Sequence, residues 1–410
     1  MPQAPTLPSP PTRAARATIP LSSRTAVNAV LLMFAVNGML LGGYGGSLPS
    51  VRDRLDLDAT QIAIMLFSGG LAGITTMQIG GRLADAIGAR RIVFAGLPLL
   101  IAAAVVLGIA PTYPIAIVAG LLFGLGNGAM DIAMNALGVQ VEAARRRPIM
   151  SRFHAFFSIG NFVGAGVVLV MAKALGITGA GIVLPVMVTL AAIAVAVLVL
   201  LVRIAPEAEV VSHSTDGGAR AKIPAMAWVL CLMSMAFGLS EGTAVDWSSL
   251  HVTDVAQVDP TVGALGLIAV SGFMVIIRLF GDGLVARFGR RTVVRYGGAC
   301  AAVGYATVAL VSSLPLLVVG WALVGFGVGM IAPQVYAVAG HLGGGRVLAV
   351  VVTFGYATFL AGPAIIGFLV NHVGIQHAMV VPALLCVGVV FLANTLPKTD
   401  TDLQNARTAP

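Results

Sequence analysis

Apolar residues run through this chain in long blocks separated by short polar breaks. From Arg24 onward twelve blocks reach the length needed to cross a bilayer: 25–47, 60–80, 92–110, 115–141, 150–172, 180–202, 225–248, 262–281, 293–311, 315–340, 347–370 and 376–396. Their apolar character runs all the way round instead of alternating, so helices are predicted and barrel strands are not. The one long polar break between blocks, 204–223, carries Pro206, Glu207, Glu209, His213 and two consecutive glycines, and parts the twelve segments into six and six. It reads as a cytoplasmic linker between an N-terminal bundle, 24–203, and a C-terminal bundle, 224–397. Residues 1–23 are proline-rich and polar and read as a disordered tail, not a signal peptide, because the first apolar run is too long for one. Residues 398–410 form a second tail.

Composition agrees with this pattern. Of 410 residues 58% are hydrophobic and 10% charged, where a soluble domain carries about 25% charge. The net charge of +8 would suit a nucleic-acid partner, but the placement of Lys and Arg explains it as topology. With a cytoplasmic amino terminus, twenty basic residues fall on inside segments and three (Arg52, Arg54, Lys173) on outside loops, with Arg278 inside a helix. That is a strong positive-inside bias, and it puts both termini in the cytoplasm. The expectation is a multi-pass protein of the cell membrane whose partners are the lipid bilayer and a small solute, not nucleic acid. The cysteines Cys231, Cys300 and Cys386 sit in apolar runs without paired spacing and indicate neither a disulfide framework nor a metal site.

Against this background the intramembrane polar residues are the candidates for chemistry. In LFGLGNGAMDIAMNALGV, Asn127, Asp131 and Asn135 recur at steps of four and share one stripe of a helix. An ionised carboxylate near mid-membrane costs about 2.5–3.5 kcal/mol on insertion scales, so Asp131 must face a partner or a watery cavity. Either it makes one structural hydrogen bond between helices, or it handles a proton or substrate; the second is the working expectation. In the seventh segment, Glu241 falls past mid-depth as a second cavity candidate, and Asp246 and Trp247 fall near the outer end, where an aromatic anchors at the interface or lines the outer mouth. His154 and Asn161 lie seven apart on the fifth segment, roughly on one face. His154 reads equally as a relay or a structural histidine. Asn37 lies near the middle of the first segment. Gln334 and Tyr336 follow Pro333, a predicted kink beside the cavity, and Tyr356 in the eleventh segment offers a surface for stacking. Proton coupling is assigned to Asp131 and Glu241, and substrate contact to Asn37, Asn127, Asn135, His154, Asn161, Trp247, Gln334, Tyr336 and Tyr356. No Walker loop, HExxH, cysteine cluster or serine-nucleophile elbow occurs, so no enzyme, cofactor or metal is expected.

The two halves repeat. GGRLADAIGARR begins at Gly80 and GDGLVARFGRR at Gly281; further on, Pro114 with Gly124, Gly126 and Gly128 is matched by Pro315 with Gly325, Gly327 and Gly329. Both landmarks are offset by 201, which argues for duplication. These residues resemble the loop signature of the major facilitator superfamily, carried by Gly81, Asp85, Gly88, Arg90 and Arg91 and in part by Arg290 and Arg291, with Ala286 where Asp85 would align. The resemblance implies two six-helix bundles, an all-α membrane fold of twelve transmembrane helices, a monomer, and a cytoplasmic gate in which Asp85 pairs or caps a helix across the seam. Arg278 and Asp282, four apart, are expected to pair at that gate. GNGAMDIAMNALGVQVE, SRFHAFFSIGNFVGAG and SEGTAVDW are similar to an uncharacterised bacterial branch related to the fucose permeases. That likeness implies a protonation or sugar-contact role for Asp131, followed by Asn135. Gly45 stands where those permeases carry an acid in the first helix. The function expected is secondary active transport of a small, sugar-like or other polar solute by alternating access, driven by protons. The fifth segment lacks the GPxxGG-like run of drug antiporters, which favours import; proton-driven export of drugs or hydrophobic metabolites is the alternative.

Overall fold

The structure, a computed structural model, describes residues 19–145, 149–207 and 223–397; the side chains of Asp85, Ser151, Asp282 and 343–346 are outside the description. Most of the 204–223 linker and the 398–410 tail therefore lie outside the described residues.

Among the described residues twelve helices are long and apolar enough to span: α1 (Arg24–Leu55), α2 (Ala59–Ala84), α3 (Ala89–Ile109), α4 (Tyr113–Arg145), α5 (Arg152–Leu175), α6 (Gly179–Ile204), α7 (Ala225–Ala256), α8 (Pro260–Gly281), α9 (Arg290–Leu310), α10 (Leu314–Leu342), α11 (Val347–Val373) and α12 (Ile375–Thr395). Helical structure continues past α2 to Ile87 and past α8 to Phe288. One face of the molecule carries the two ends of the described chain and the connections after α2, α4, α6, α8 and α10; it is called the terminal face here, and the other the opposite face. In the first half α1 packs on α5, and α4 on both α2 and α3; in the second, α7 packs on α11, and α10 on both α8 and α9. The halves meet where α2 lies against α11, α5 against α8 and α1 against α7.

Local chemistry explains these elements, and much of it occurs twice at the 201-residue offset. Asp58 caps α2 in a capping box with Gln61, and Asp259 accepts from the Thr261 N–H (2.9 Å) at the start of α8. Asp56 and Gln257, two residues before each cap, take the left-handed conformation that ends α1 and α7. Gly88 and Gly289 turn the chain at φ 91° and 78°, a region favourable to glycine. Gly126 approaches the Gly96 carbonyl, and Gly327 approaches Gly297, so that α4 on α3 and α10 on α9 are the same contact built twice. Small residues are what let helix backbones close up in a bilayer, where no hydrophobic force drives them together.

Sequence expectations about helix limits need revision: α1, predicted to end at 47, runs to Leu55. α7 runs eight residues beyond the predicted end at 248, because its polar residues Ser248, Ser249 and His251 are buried inside the protein instead of facing water. The break in α10 falls at Gly329–Met330, just ahead of Pro333. Proline has no N–H to give the carbonyl four residues back, which is that of Gly329.

Candidate functional site

A cavity of about 140 Å³ lies in the seam between α1, α2 and α4 of the first half and α7 and α11 of the second. One wall is a ladder of glycines: Gly124 and Gly128 of α4 abut the carbonyls of Gly69 and Gly73 of α2, so that the two backbones touch there. Tyr44 of α1 stacks on Phe123 of α4, with ring centroids 4.6 Å apart and planes at 24°. Tyr356 and Phe359 of α11 contribute further aromatic surface. The polar lining comes from Asn127, Asp246 and the two phenols. Asn127 Oδ1 is buried without a hydrogen-bond partner among the described residues. The Asp246 carboxylate likewise meets no hydrogen-bond donor or cation among them.

Asp131 stands one turn beyond Asn127 on α4, toward the terminal face. Tyr356 donates across the seam to its Oδ2 (3.3 Å), and Asn135 Nδ2 donates to its Oδ1 (3.2 Å) and to its backbone carbonyl (2.8 Å). The step of four makes the Asn135 contact a consequence of helix geometry; the Tyr356 contact comes from how the halves meet. Asp131 is not itself a lining residue. It sits behind Tyr356, which is.

A second polar group crosses the seam at Arg278 of α8. Its Nη1 donates to Ser158 Oγ of α5 (2.6 Å), its Nη2 to Glu241 Oε1 of α7 (3.2 Å) and its Nε to the Gly329 carbonyl freed by Pro333 (3.5 Å). Glu241 is thus an ion-pair partner, with side chains 18% and 15% exposed for Glu241 and Arg278. Arg278 turns into the seam; the side chain of Asp282, the partner expected from the sequence, lies outside the described residues.

The remaining candidates disperse. Asn37 of α1 and Asn161 of α5 are buried, with both amide atoms of Asn37 and Oδ1 of Asn161 lacking partners among the described residues. His154 is exposed and meets Phe34 edge-on at 5.2 Å. Gln334 accepts from Arg290 Nη1 (3.1 Å), and Tyr336 from Ser234 Oγ (3.3 Å). Trp247 is 1% exposed and packs near Gly367 of α11, so it is not the interfacial anchor that its place in the sequence suggests. Of the gate residues, Gly81 lies near Ile132, Gly88 makes the turn after α2, and Arg91 is exposed. Arg90 holds Glu207 (2.5 Å) and the Val202 carbonyl, while Arg291 holds the Leu396 carbonyl (2.7 Å), so both tie helices within their own half. The side chain of Asp85 lies outside the described residues.

Sequence reasoning missed Tyr44 and Phe123 and misjudged the depth of Asp246. With α7 extending to Ala256, Asp246 is ten residues from the helix end, about 15 Å inside at 1.5 Å per residue. A signal was present. The 201-residue register pairs Asp246 with Gly45, the position in α1 that lacks an acid; the second half carries the carboxylate that the first does not.

Comparison with known proteins agrees with the architecture. The family model described as Major Facilitator Superfamily matches residues 30–342 and 230–409. The chain is 32% identical over 370 residues to the uncharacterized transporter y4wD of Sinorhizobium fredii, covering 88% of this chain and 96% of that one. It is 30% identical to an uncharacterized MFS-type transporter of Yersinia pestis, over 90% of this chain and 94% of the relative. It is 26% identical to the membrane protein MosC of Rhizobium meliloti, over 90% and 88% of the two chains. Among solved structures it is similar to the nucleoside transporter NupG, with a TM-score of 0.68 at 14% identity, covering 90% of this chain and 99% of that one. Twelve spanning helices, a duplicated half and these matches along most of its length place the chain in the Major Facilitator Superfamily, as a multi-pass membrane protein that transports a solute.

Proposed function

We propose that this protein is a proton-coupled importer of a small polar solute, with the seam cavity as its binding site and Asp131 as the residue that carries the proton. The observation that supports this reading most is the hydrogen bond from Tyr356 to Asp131, because it joins a titratable group on one half to a cavity-lining group on the other. A carboxylate accepts a stronger hydrogen bond than a carboxylic acid does. Ionised Asp131 therefore holds Tyr356 and the two halves together at that depth, and protonated Asp131 loosens the hold. Proton occupancy biases which arrangement of the bundles is stable, which is what coupling to alternating access requires. Glu241 enters the cycle through Arg278, which ties it to Ser158 of the other half. The excess of basic residues on the terminal face makes that face cytoplasmic.

The closing contacts support an arrangement sealed on the opposite face. There Arg52 of α1 pairs with Asp254 of α7 through both guanidinium nitrogens, Gly179 N–H donates to Asp259 (3.3 Å), and Asn371 of α11 donates to Thr60 of α2. Each of these joins the two halves.

The aromatic and glycine-faced walls of the cavity favour a second reading, export of a hydrophobic compound by proton exchange. Proteoliposomes separate the two. With sugars, amino sugars and hydrophobic dyes as solutes, a gradient acid on the outside should drive solute accumulation that a protonophore abolishes. Accumulation driven only by the reversed gradient identifies the exporter, and transport indifferent to either gradient removes proton coupling.

A further inference from the structure

We infer that the seam cavity selects solutes carrying a protonated amine, seated against Asp246 and walled by the rings of Tyr44 and Phe123. The inference rests on the reading of this cavity as the transport site and adds the chemical class of what it takes.

Asp246 is the starting point. Its carboxylate lines the cavity deep within α7 and has neither cation nor donor among the described residues. A carboxylate at this depth needs a partner of opposite charge or several donors, and none is found among the described residues. Among the described residues no Lys, Arg or His lines the cavity, so an anionic solute would meet a negative charge with no cation to offset it. The second unsatisfied group, Asn127 Oδ1, is also an acceptor. The site therefore lacks positive charge, and an ammonium group brings it together with three N–H donors. The walls suit the same ligand, since ring faces attract cations and the Tyr44–Phe123 stack borders the space that Asp246 lines.

Size and symmetry narrow the class. An engineered cavity of about 150 Å³ in another protein holds one benzene ring, so about 140 Å³ accommodates a one-ring solute. At the repeat-related position α1 has Gly45, whose missing side chain lets it approach the Val245 carbonyl and the Leu267 side chain. One carboxylate therefore serves the site, and it calls for a single positive charge instead of two.

The full-length protein, purified in detergent, tests this by ligand-induced thermal shift at neutral pH with two matched series: glucosamine, glucose and glucuronate, and cyclohexylamine, cyclohexanol and cyclohexanecarboxylate. The amine of at least one series should raise Tm with an apparent affinity about tenfold or more above its neutral and acidic counterparts, the scale set by one charge-assisted contact. Asp246→Asn should abolish that preference, and Tyr44→Leu should reduce it. The proposal is overturned if neither amine shifts Tm at high millimolar concentration, if neutral or acidic members bind as well, or if Asp246→Asn keeps the preference. Where Asp246→Asn is not recovered as a monodisperse protein, the wild-type ranking decides alone. Binding needs no gradient, so a failed ranking leaves proton-coupled transport standing, and failed proton coupling leaves the ranking standing.

Discussion

Asp259, in the connection between α7 and α8, shows how one side chain serves two purposes. Its Oδ1 accepts from the Thr261 N–H (2.9 Å) and hydroxyl (2.6 Å), capping α8, and from the Gly179 N–H (3.3 Å), joining the halves. Burial by itself would raise this carboxyl; the hydrogen bonds from Thr261, Gly179 and Thr178 outweigh it and hold the group below the usual aspartate range. A lowered folded-state value means that Asp259 contributes stability fully above that range and loses it as pH falls through the folded value. Asp259→Ala should lower stability at neutral pH by about 1 kcal/mol, the typical worth of a cap, and flatten the acid limb of a Tm-against-pH curve. An unchanged limb counts against the assignment. Arg278 is the second test at this scale. Arg278→Met leaves Glu241 without its cation and should lower stability by about 3 kcal/mol, whereas Arg278→Met with Glu241→Leu should recover much of it, since breaking one side of a buried pair is worse than replacing both. Chemical denaturation in detergent reads the difference. The sequence showed which residues were polar at membrane depth, Asp131 and Glu241 among them. It did not show that Glu241 would meet Arg278 or Asp131 meet Tyr356, because those partners lie 37 and 225 residues away and only the packing of α7 on α8 and the meeting of the halves bring them together.

At the scale of elements, apolar length was enough to find every spanning helix, while helix ends were harder. The polar run after Trp247 looked like a loop and proved to be buried helix, which is why Asp246 was placed too shallow. The glycines were legible as a repeat but not as contacts. In the structure Gly126 and Gly327 close equivalent helix pairs, and a Cβ at either would press on backbone of the facing helix. Gly126→Val and Gly327→Val should therefore each destabilise the protein, by about 1–3 kcal/mol on the overpacking scale, and by similar amounts because the contacts are duplicates. Thermal melts of the two variants check this; a large inequality would mean that the repeat does not extend to packing.

At the scale of the molecule, the halves are held at the opposite face by polar contacts that are individually weak. The Arg52–Asp254 pair is partly exposed, at 26% and 31%, and a pair of that kind is worth about 1 kcal/mol or less. A weak latch suits a protein that must open there. Arg52→Asp should open this face in a larger share of molecules, and Arg52→Asp with Asp254→Arg should restore closure. The readout is labelling of a cysteine placed at Asn127 by an impermeant maleimide, in a background without Cys231, Cys300 and Cys386. Labelling from the opposite side should rise several-fold in the single variant and return to the wild-type level in the double. The measurement that reaches the central claim most directly compares Asp131→Asn with wild type in proteoliposomes under an imposed pH gradient, with counterflow measured alongside. The account predicts that counterflow persists, because the cavity is intact, while gradient-driven accumulation is lost. Gradient-driven accumulation at the wild-type level in Asp131→Asn would contradict it.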